Sequence, residues 1–346
     1  MPALPALIEV IAPNLKRRLS GVTATVVRLI PIQARSIGIV TTGPGLPPDL
    51  PHLPLWRCFL LPGDRWRVWH ARRNTEMVLG LILRHLFRRK LRLMFTSAAQ
   101  RHHKPLTRWL IARMGAVVAT SARAQAYLQV PSQVVMHGVD CDEFHPAIDR
   151  AALRAELGLP AEARLIGCFG RIRAQKGVDL LVEAAIRLLP SRPDLQVIFT
   201  GRVTEDQRAF HAEQVARLQA AGIADRVRFL GELPWEEVAR HYRAMDLFTA
   251  PARWEGFGLT PLEAMASGVP VVAARVGAFE SLLTPETGTL IPPGDAGALT
   301  QAISGWIDDP ARLAAGAAAA RAHVLARHRI EDEAAALNAI YRQLLA

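Results

Sequence analysis

Cysteine is scarce in this 346-residue chain: Cys58, Cys141 and Cys168 are odd in number, and no two of them have the spacing of a metal knuckle or a redox pair. That excludes a disulfide framework and fits a reducing compartment. Long apolar runs are lacking as well. The most lipid-like run, Met77 to Leu83, is closed by Arg84, His85, Arg88 and Arg89, far short of the ~20 residues that span a bilayer. The first residues lack the charged start and long apolar core of a signal peptide, and no internal repeat is visible. Acid is short in one half only. Residues 1–147 hold 20 Lys and Arg against 7 Asp and Glu, whereas residues 148–346 hold 22 against 24. A half that basic calls for an anionic partner: a membrane surface, an acidic glycolipid or nucleic acid.

What is present is room for two cores, since half of the residues are apolar. Apolar stretches Ile8–Ala12, Ile37–Thr41, Trp66–His70, Leu91–Thr96, Ala116–Thr120 and Val134–Met136 read as strands, with helices from Val22 and from Thr75 to about Phe87. Pro44 to Pro54 holds five prolines and must be a loop. The later half alternates clearly. Strands at Arg164–Phe169, Leu195–Thr200, Val227–Leu230, Asp246–Ala250 and Val269–Ala273 are separated by helical patterns, and helices fill most of the chain from Ala296 to its end. Such alternation predicts parallel sheets with ligands at the carboxyl ends of the strands.

Two stretches carry chemistry. In Arg253–Val272, RWEGFGLTPLEAMASGVPVV, a glycine turn precedes Thr260-Pro261-Leu262-Glu263, which reads as a helix start with Thr260 as N-cap. Glu255 on the turn and Glu263 on the first helical turn are candidate ligand groups. A Thr-x-x-Glu capping box explains Glu263 equally well, and a solvated loop charge is the alternative for Glu255. Upstream, the strand Arg164–Phe169 runs into Gly170-Arg171-Ile172-Arg173-Ala174-Gln175-Lys176-Gly177. A glycine turn with several cations between strand and helix suits a diphosphate, and taken alone it is also an ordinary solvated basic loop. It is not a Walker A loop, because Gly177 stands where Ser or Thr is required.

Together, E-G-F-G-L-T-P-L-E and G-R-x-x-x-x-K-G resemble the signatures of glycosyltransferase family 4, retaining enzymes built as two Rossmann-like α/β domains (the GT-B fold) facing across a cleft. The resemblance is dense over residues 134–310. It implies an acceptor-binding domain at 1–147, a nucleotide-sugar domain at 148–328 and a C-terminal helix, 329–346, crossing back onto the first. It assigns Arg171 and Lys176 to the leaving diphosphate, Glu255 to the donor-sugar hydroxyls and Glu263 to the ribose. These, with Gly21, Gly170, Gly201, Arg202, Leu233, Gly256, Phe257, Gly258 and Leu259, form the expected donor site, with Glu255, Arg171 and Lys176 catalytic. Gly277–Glu280 and Gly288–Gly294 resemble the family's closing turns, and His137-Gly138-Val139-Asp140 its interdomain linker.

Ser97-Ala98-Ala99 stands where many members carry a histidine, so Gln100, Arg101 and His102 are acceptor-site candidates; His70, at a strand end, is a further candidate and equally well a structural histidine. Asp140-Cys141-Asp142 lies in the linker turn and is not read as a metal site; no metal or other cofactor is expected. FTSAAQRHHKPLTRWLIARM, RWEGFGLTPLEAMASG and VWHARRN are similar to the lipopolysaccharide core mannosyltransferases of the family, which implies GDP-mannose as donor and an anionic, lipid A-linked acceptor. A UDP-sugar is the alternative within the family. The rivals outside it are a glycosidase, a nucleotide-sugar epimerase and a non-enzymatic basic binding protein. The expected location is cytoplasmic, with Arg84–Arg92 read either as resting on the inner face of the membrane or as an ordinary solvated helix end. No nucleic-acid partner is expected.

Overall fold

The computed structural model describes residues 7–16 and 21–346. Arg17 to Ser20, part of the basic loop before Gly21, lie outside the described residues. The chain forms two compact units. One comprises the residues up to His137 together with Ile330–Ala346; the other is Gly138–Arg329.

In the first unit the elements are β1 (Val10–Pro13), α1 (Gly21–Gln33), β2 (Ile39–Thr42), β3 (Arg67–Ala71), α2 (Asn74–His85), β4 (Leu91–Ser97), α3 (Pro105–Ile111), β5 (Ala116–Ala119), α4 (Ala122–Gln125) and β6 (Gln133–Val134). The sheet runs β2-β1-β3-β4-β5-β6, and every pairing is parallel. Side chains alternate across it. Val10, Ala12, Ile39, Val68 and Met94 pack on one face against α1. Ile11, Val40, Trp69, Leu93 and Phe95 pack on the other against α2, α3 and the 3-10 turn Leu55–Leu60. The last helix, Ile330–Leu345, belongs to this unit. Its Ile330, Ala334, Leu337, Ile340 and Tyr341 join the α1 face, and Gln33 Nε2 donates to Asn338 Oδ1 at 2.9 Å.

The second unit holds α5 (Arg150–Glu156), β7 (Arg164–Phe169), α6 (Val178–Leu188), β8 (Leu195–Thr200), α7 (Arg208–Ala220), β9 (Val227–Phe229), α8 (Trp235–Ala244), β10 (Leu247–Ala250), α9 (Thr260–Ala266), β11 (Val271–Ala274), α10 (Phe279–Leu282), β12 (Gly288–Ile291), α11 (Ala296–Ile307) and α12 (Pro310–Arg327). Its parallel sheet has the order β12-β11-β10-β7-β8-β9. From β7 the chain winds outward one way and from β10 the other. The two central strands therefore flank a topological switch point, where α/β sheets leave a crevice at the carboxyl ends of their strands.

Three sequence expectations change. Residues 138–147 belong with the second unit rather than the first, because Arg321 donates to the carbonyls of Cys141 (3.1 Å), Phe144 (2.7 Å) and Ala266 (2.8 Å), and Arg243 donates to that of Glu143. Gly288–Ile291, read as part of a closing turn, is strand β12, paired along β11. Short helices α3, α4 and α5 went unread, since about two turns or fewer give little periodicity. In the linker, Asp140 Oδ1 accepts from the amides of Asp142 (2.9 Å) and Glu143 (3.0 Å), so its carboxylate closes a turn. Among the described residues no helix is long and apolar enough to cross a membrane.

Buried Arg154 anchors the second unit: it donates to the carbonyls of Ala161, Ala163 and Ala244 and to Asp246 Oδ2 at 2.7 Å. Arg154→Ala removes the donor to three carbonyls and one of the two cations on that carboxylate, which keeps Arg150 and the amide of Leu165. It should cost about 1–3 kcal/mol, read as a lowered urea midpoint. His328, at the end of α12, is buried, and its burial, aided by the charges of His323 and Arg327, pulls its pKa down to about 4. Below pH ~6.5 the unfolded chain takes a proton there that the folded chain refuses. Stability should fall by up to about 1.4 kcal/mol per pH unit between those two values, and His328→Gln should flatten that limb in acid melts.

Candidate functional site

The crevice at the second unit's switch point is built by glycines. Past the ends of β7, β8 and β9 the ladder continues, with Gly170 N donating to Thr200 O at 2.8 Å and Gly201 N to Gly231 O at 2.7 Å. A Cβ on Gly201, at φ +139°, would stand 1.9 Å from the carbonyl oxygen of Gly170. The loops after β7 and β8 can therefore touch only as bare backbone. The 3-10 turn Ala174–Lys176 then docks on the loop after β10. Arg253 grips Asp179 through two bonds of 2.7 Å and donates to Ala174 O at 2.6 Å, its amide donates to Gln175 O, and Gln175 Nε2 donates to Trp254 O.

That docking sets Lys176 against Glu255. Lys176 Nζ donates to Glu255 Oε2, while Glu255 Oε1 accepts from the amide of Gly256 at 3.0 Å. An ammonium has three N–H donors, so two can still turn to another acceptor. Gly170, Arg171, Lys176, Glu255, Thr260 and Phe279 line one hollow here, with Cys168, Phe169 and Thr249. Burial pushes the Cys168 thiol up to about 12, against smaller opposing effects of Thr249 and Lys176. It is therefore no nucleophile near neutral pH. Burial, with Arg171 acting in the same direction, holds the Arg173 guanidinium below its usual range, opposed by Glu255 and Asp206.

The second carboxylate of the pair is placed differently from the capping-box reading. Leu259 is the N-cap, no side chain caps α9, and Thr260 is its first helical residue and faces the hollow. Glu263 is buried and accepts from Tyr242 Oη at 2.8 Å, within a cluster where Tyr242 packs on Phe144, Phe169 and Phe248. Tyr242 and Thr260 are thus partners that the sequence motif did not reveal. Gly256 and Leu259 lie partly buried on the turn, and buried Phe257 accepts the amide of Ala278 through its carbonyl. Arg202 is exposed and lies 3.7 Å from Glu232, and Leu233 is half-buried in the loop after β9; neither lines the hollow.

In the first unit, Gly21 opens α1. His70, read as an acceptor contact or a structural histidine, is the latter: it is fully buried, and Nδ1 pairs with Tyr341 Oη and Nε2 with Thr96 Oγ1, each at 2.6 Å. Burial, then the charge of Arg72, hold its pKa well below the usual imidazole range, so it is a neutral structural residue. Gln100, Arg101 and His102 do lie together on the loop between β4 and α3, with Arg101 and His102 exposed and His102 edge-on to Tyr127. The polar knot unread in the sequence is Arg73, which donates to Asn14 Oδ1, Thr23 Oγ1 and Glu76 Oε1 where β1 and β3 end. Among the described residues, no cluster of His, Cys, Asp and Glu could hold a metal.

Two parallel-sheet α/β domains, one with a basic glycine turn and a carboxylate meeting at its switch point, define the class of two-domain, GT-B-like glycosyltransferases. Residues 149–323 match the family of glycosyl transferases group 1. The chain is 49% identical to the lipopolysaccharide core biosynthesis mannosyltransferase LpsB of Rhizobium meliloti (strain 1021), covering 98% of each chain. It is 51% identical to lipopolysaccharide core biosynthesis mannosyltransferase LpcC of Rhizobium leguminosarum bv. viciae, covering 98% of this chain and 97% of that one. Sucrose-phosphate synthase from Thermosynechococcus elongatus superposes with a TM-score of 0.81 at 23% identity, covering 98% of this chain and 99% of the other. The chain belongs to the glycosyl transferases group 1 family and is a hexosyltransferase.

Gly258, at φ +85°, decides where Glu255 stands: an added Cβ would lie 2.3 Å from the Phe279 ring and 2.9 Å from Glu255 Cγ. Gly258→Ala should displace the Phe279 ring and the Glu255 carboxylate, read as a lowered Tm together with a slower release of nucleoside diphosphate.

Proposed function

We propose that the chain transfers mannose from GDP-mannose, with retention, to the anionic core oligosaccharide of a lipid A-linked acceptor. The observation that carries the chemistry is the meeting of Lys176 and Glu255 in the switch-point hollow beside Arg171. The names of the two Rhizobium relatives support the sugar and the acceptor class, and the excess of Lys and Arg in residues 1–147 suits an anionic acceptor.

Breaking the bond between the sugar C1 and the diphosphate oxygen builds negative charge on that oxygen. Arg171 and Lys176 take up this charge, each worth roughly 3–4 kcal/mol when preorganised. Glu255 holds hydroxyls of the donor sugar, and Glu263, oriented by Tyr242, the ribose. The acceptor oxygen bonds to C1 from the leaving-group face, and its proton passes to the departing phosphate oxygen. No protein nucleophile and no metal are assigned a role. Gln100, Arg101 and His102 are the groups proposed to meet the acceptor.

A thermal-shift panel of GDP, UDP, ADP and their sugar conjugates tests the donor. GDP and GDP-mannose should raise Tm, by an amount equivalent to about 2.7 kcal/mol at a hundred times Kd. Lys176→Ala should lose the shift, and Glu255→Gln should cut mannosyl transfer by about two to three orders of magnitude. A shift with UDP alone would overturn the donor, and no shift with any nucleotide would overturn the transferase site.

A further inference from the structure

The face of the first unit's sheet covered by α2, α3 and the turn Leu55–Leu60 is well packed inside and strongly apolar outside. On the turn, Trp56 is 59% and Leu60 66% exposed. On α2, Val78 and Ile82 stand four residues apart, and Leu86, 73% exposed, continues the same helical stripe past the last turn. On α3, Leu106 and Trp109 are three apart, with Trp109 50% exposed. The three elements are neighbours. Phe59 meets Phe87 edge-on at 4.9 Å between ring centroids, Arg89 donates to Leu61 O, and Asn74 Nδ2 donates to Thr107 Oγ1 at 2.7 Å. Single exposed apolar residues are ordinary on a soluble protein; a contiguous set on one face marks an interaction surface.

Its charge selects the occupant. Residues 55–113 contain fourteen Lys and Arg against two acids. Both acids are engaged within the stretch, Asp64 with Arg65 and Arg67 and Glu76 with Arg73. Cations also sit directly on the apolar groups: Arg57 lies over the Trp56 ring, Arg92 over Trp66 and Arg113 over Trp109, at 5.2, 4.2 and 3.6 Å from the centroids. Exposed Trp and Leu rimmed by Arg match an anionic bilayer, where rings rest among headgroups and cations meet phosphates. A second copy of the same face would set like charge against like.

We infer that this face is a peripheral docking surface for anionic lipid, with Trp56, Leu60, Leu86, Leu106 and Trp109 as its inserted groups. The basic stretch Arg84–Arg92 is thus one edge of a wider, mainly apolar contact. The loop holding Gln100–His102 leads straight into α3, so the acceptor candidates border the lipid surface. The inference deepens the proposed function, since a lipid-linked acceptor is met at a bilayer, but its test uses no transfer reaction.

Co-sedimentation with phosphatidylethanolamine–phosphatidylglycerol vesicles, against pure phosphatidylcholine vesicles, reads the contact directly. Trp56→Ser with Leu60→Ser and Leu86→Ser alters only exposed groups; its melting curve and nucleotide shift should match those of the parent. The parent should pellet with the anionic vesicles and show a blue-shifted tryptophan emission. The triple variant should bind them at least about tenfold more weakly, and Arg57→Glu with Arg113→Glu should lose the preference for anionic lipid. Absence of vesicle binding by the parent, or equal binding by the triple variant, overturns the inference. So does a parent that forms dimers which the triple variant dissolves without any vesicle binding, an outcome that makes the face a contact between copies. A failed nucleotide panel with intact vesicle binding would instead remove only the transferase reading.

Discussion

The contact of two bare backbones, Gly201 against the carbonyl of Gly170, is the constraint on which the second unit's site depends. It lets the loops after β7 and β8 lie side by side without intervening side chains, and it fixes the exit of the chain toward Lys176. From there Arg253 ties the turn to a loop 74 residues further along the sequence than its partner Asp179. That ion pair is partly exposed and by itself contributes modestly. Its use is geometric: with the backbone bonds around Gln175, it leaves the Lys176 ammonium beside the Glu255 carboxylate. A cation and an anion so held are preorganised for a ligand that carries both phosphate and hydroxyl groups, which is the chemistry of a nucleotide sugar.

The first unit spends its buried polar groups on structure. His70 stands at the end of a central strand, the position where α/β proteins commonly place ligand contacts, yet Tyr341 from the returning C-terminal helix and Thr96 from the neighbouring strand take both ring nitrogens. Arg73 is similarly occupied by Asn14, Thr23 and Glu76. What this unit offers to the outside is therefore its loops and one helix-covered face. There the side chains are exposed, cationic and aromatic. The charge asymmetry follows the same division: the basic excess lies in residues 1–147, and the later half of the chain is close to balanced.

Charge and burial act together at the switch-point hollow. Cys168, the thiol that lines it, is kept protonated by burial, and the carboxylate of Glu255 is engaged by Lys176. Neither is presented as a free nucleophile. On the proposed reading, the protein stabilises departing charge and orients partners, while bond making and breaking occur between the two substrates.

Sequence by itself determined the alternation of strands and helices, because buried parallel strands are short β-branched and aromatic runs set off by glycine; Arg164–Phe169 and Leu195–Thr200 were legible to the residue. It also determined the pairing of a basic glycine turn with an acidic one, since both motifs are local. Short helices were not legible, nor was strand β12, because four residues of Gly-Thr-Leu-Ile carry too little pattern to be told from a turn. Only the tertiary structure decided what the side chains do. Thr260 reads as a cap until the preceding turn places Leu259 there, Glu263 as a capping partner until Tyr242 from α8 reaches it, and His70 as a ligand until Tyr341, 271 residues away in sequence, closes on it. Local pattern specifies which backbone forms, but a polar side chain's role depends on partners brought near by the winding of the sheet, and those distances are not written in any one segment.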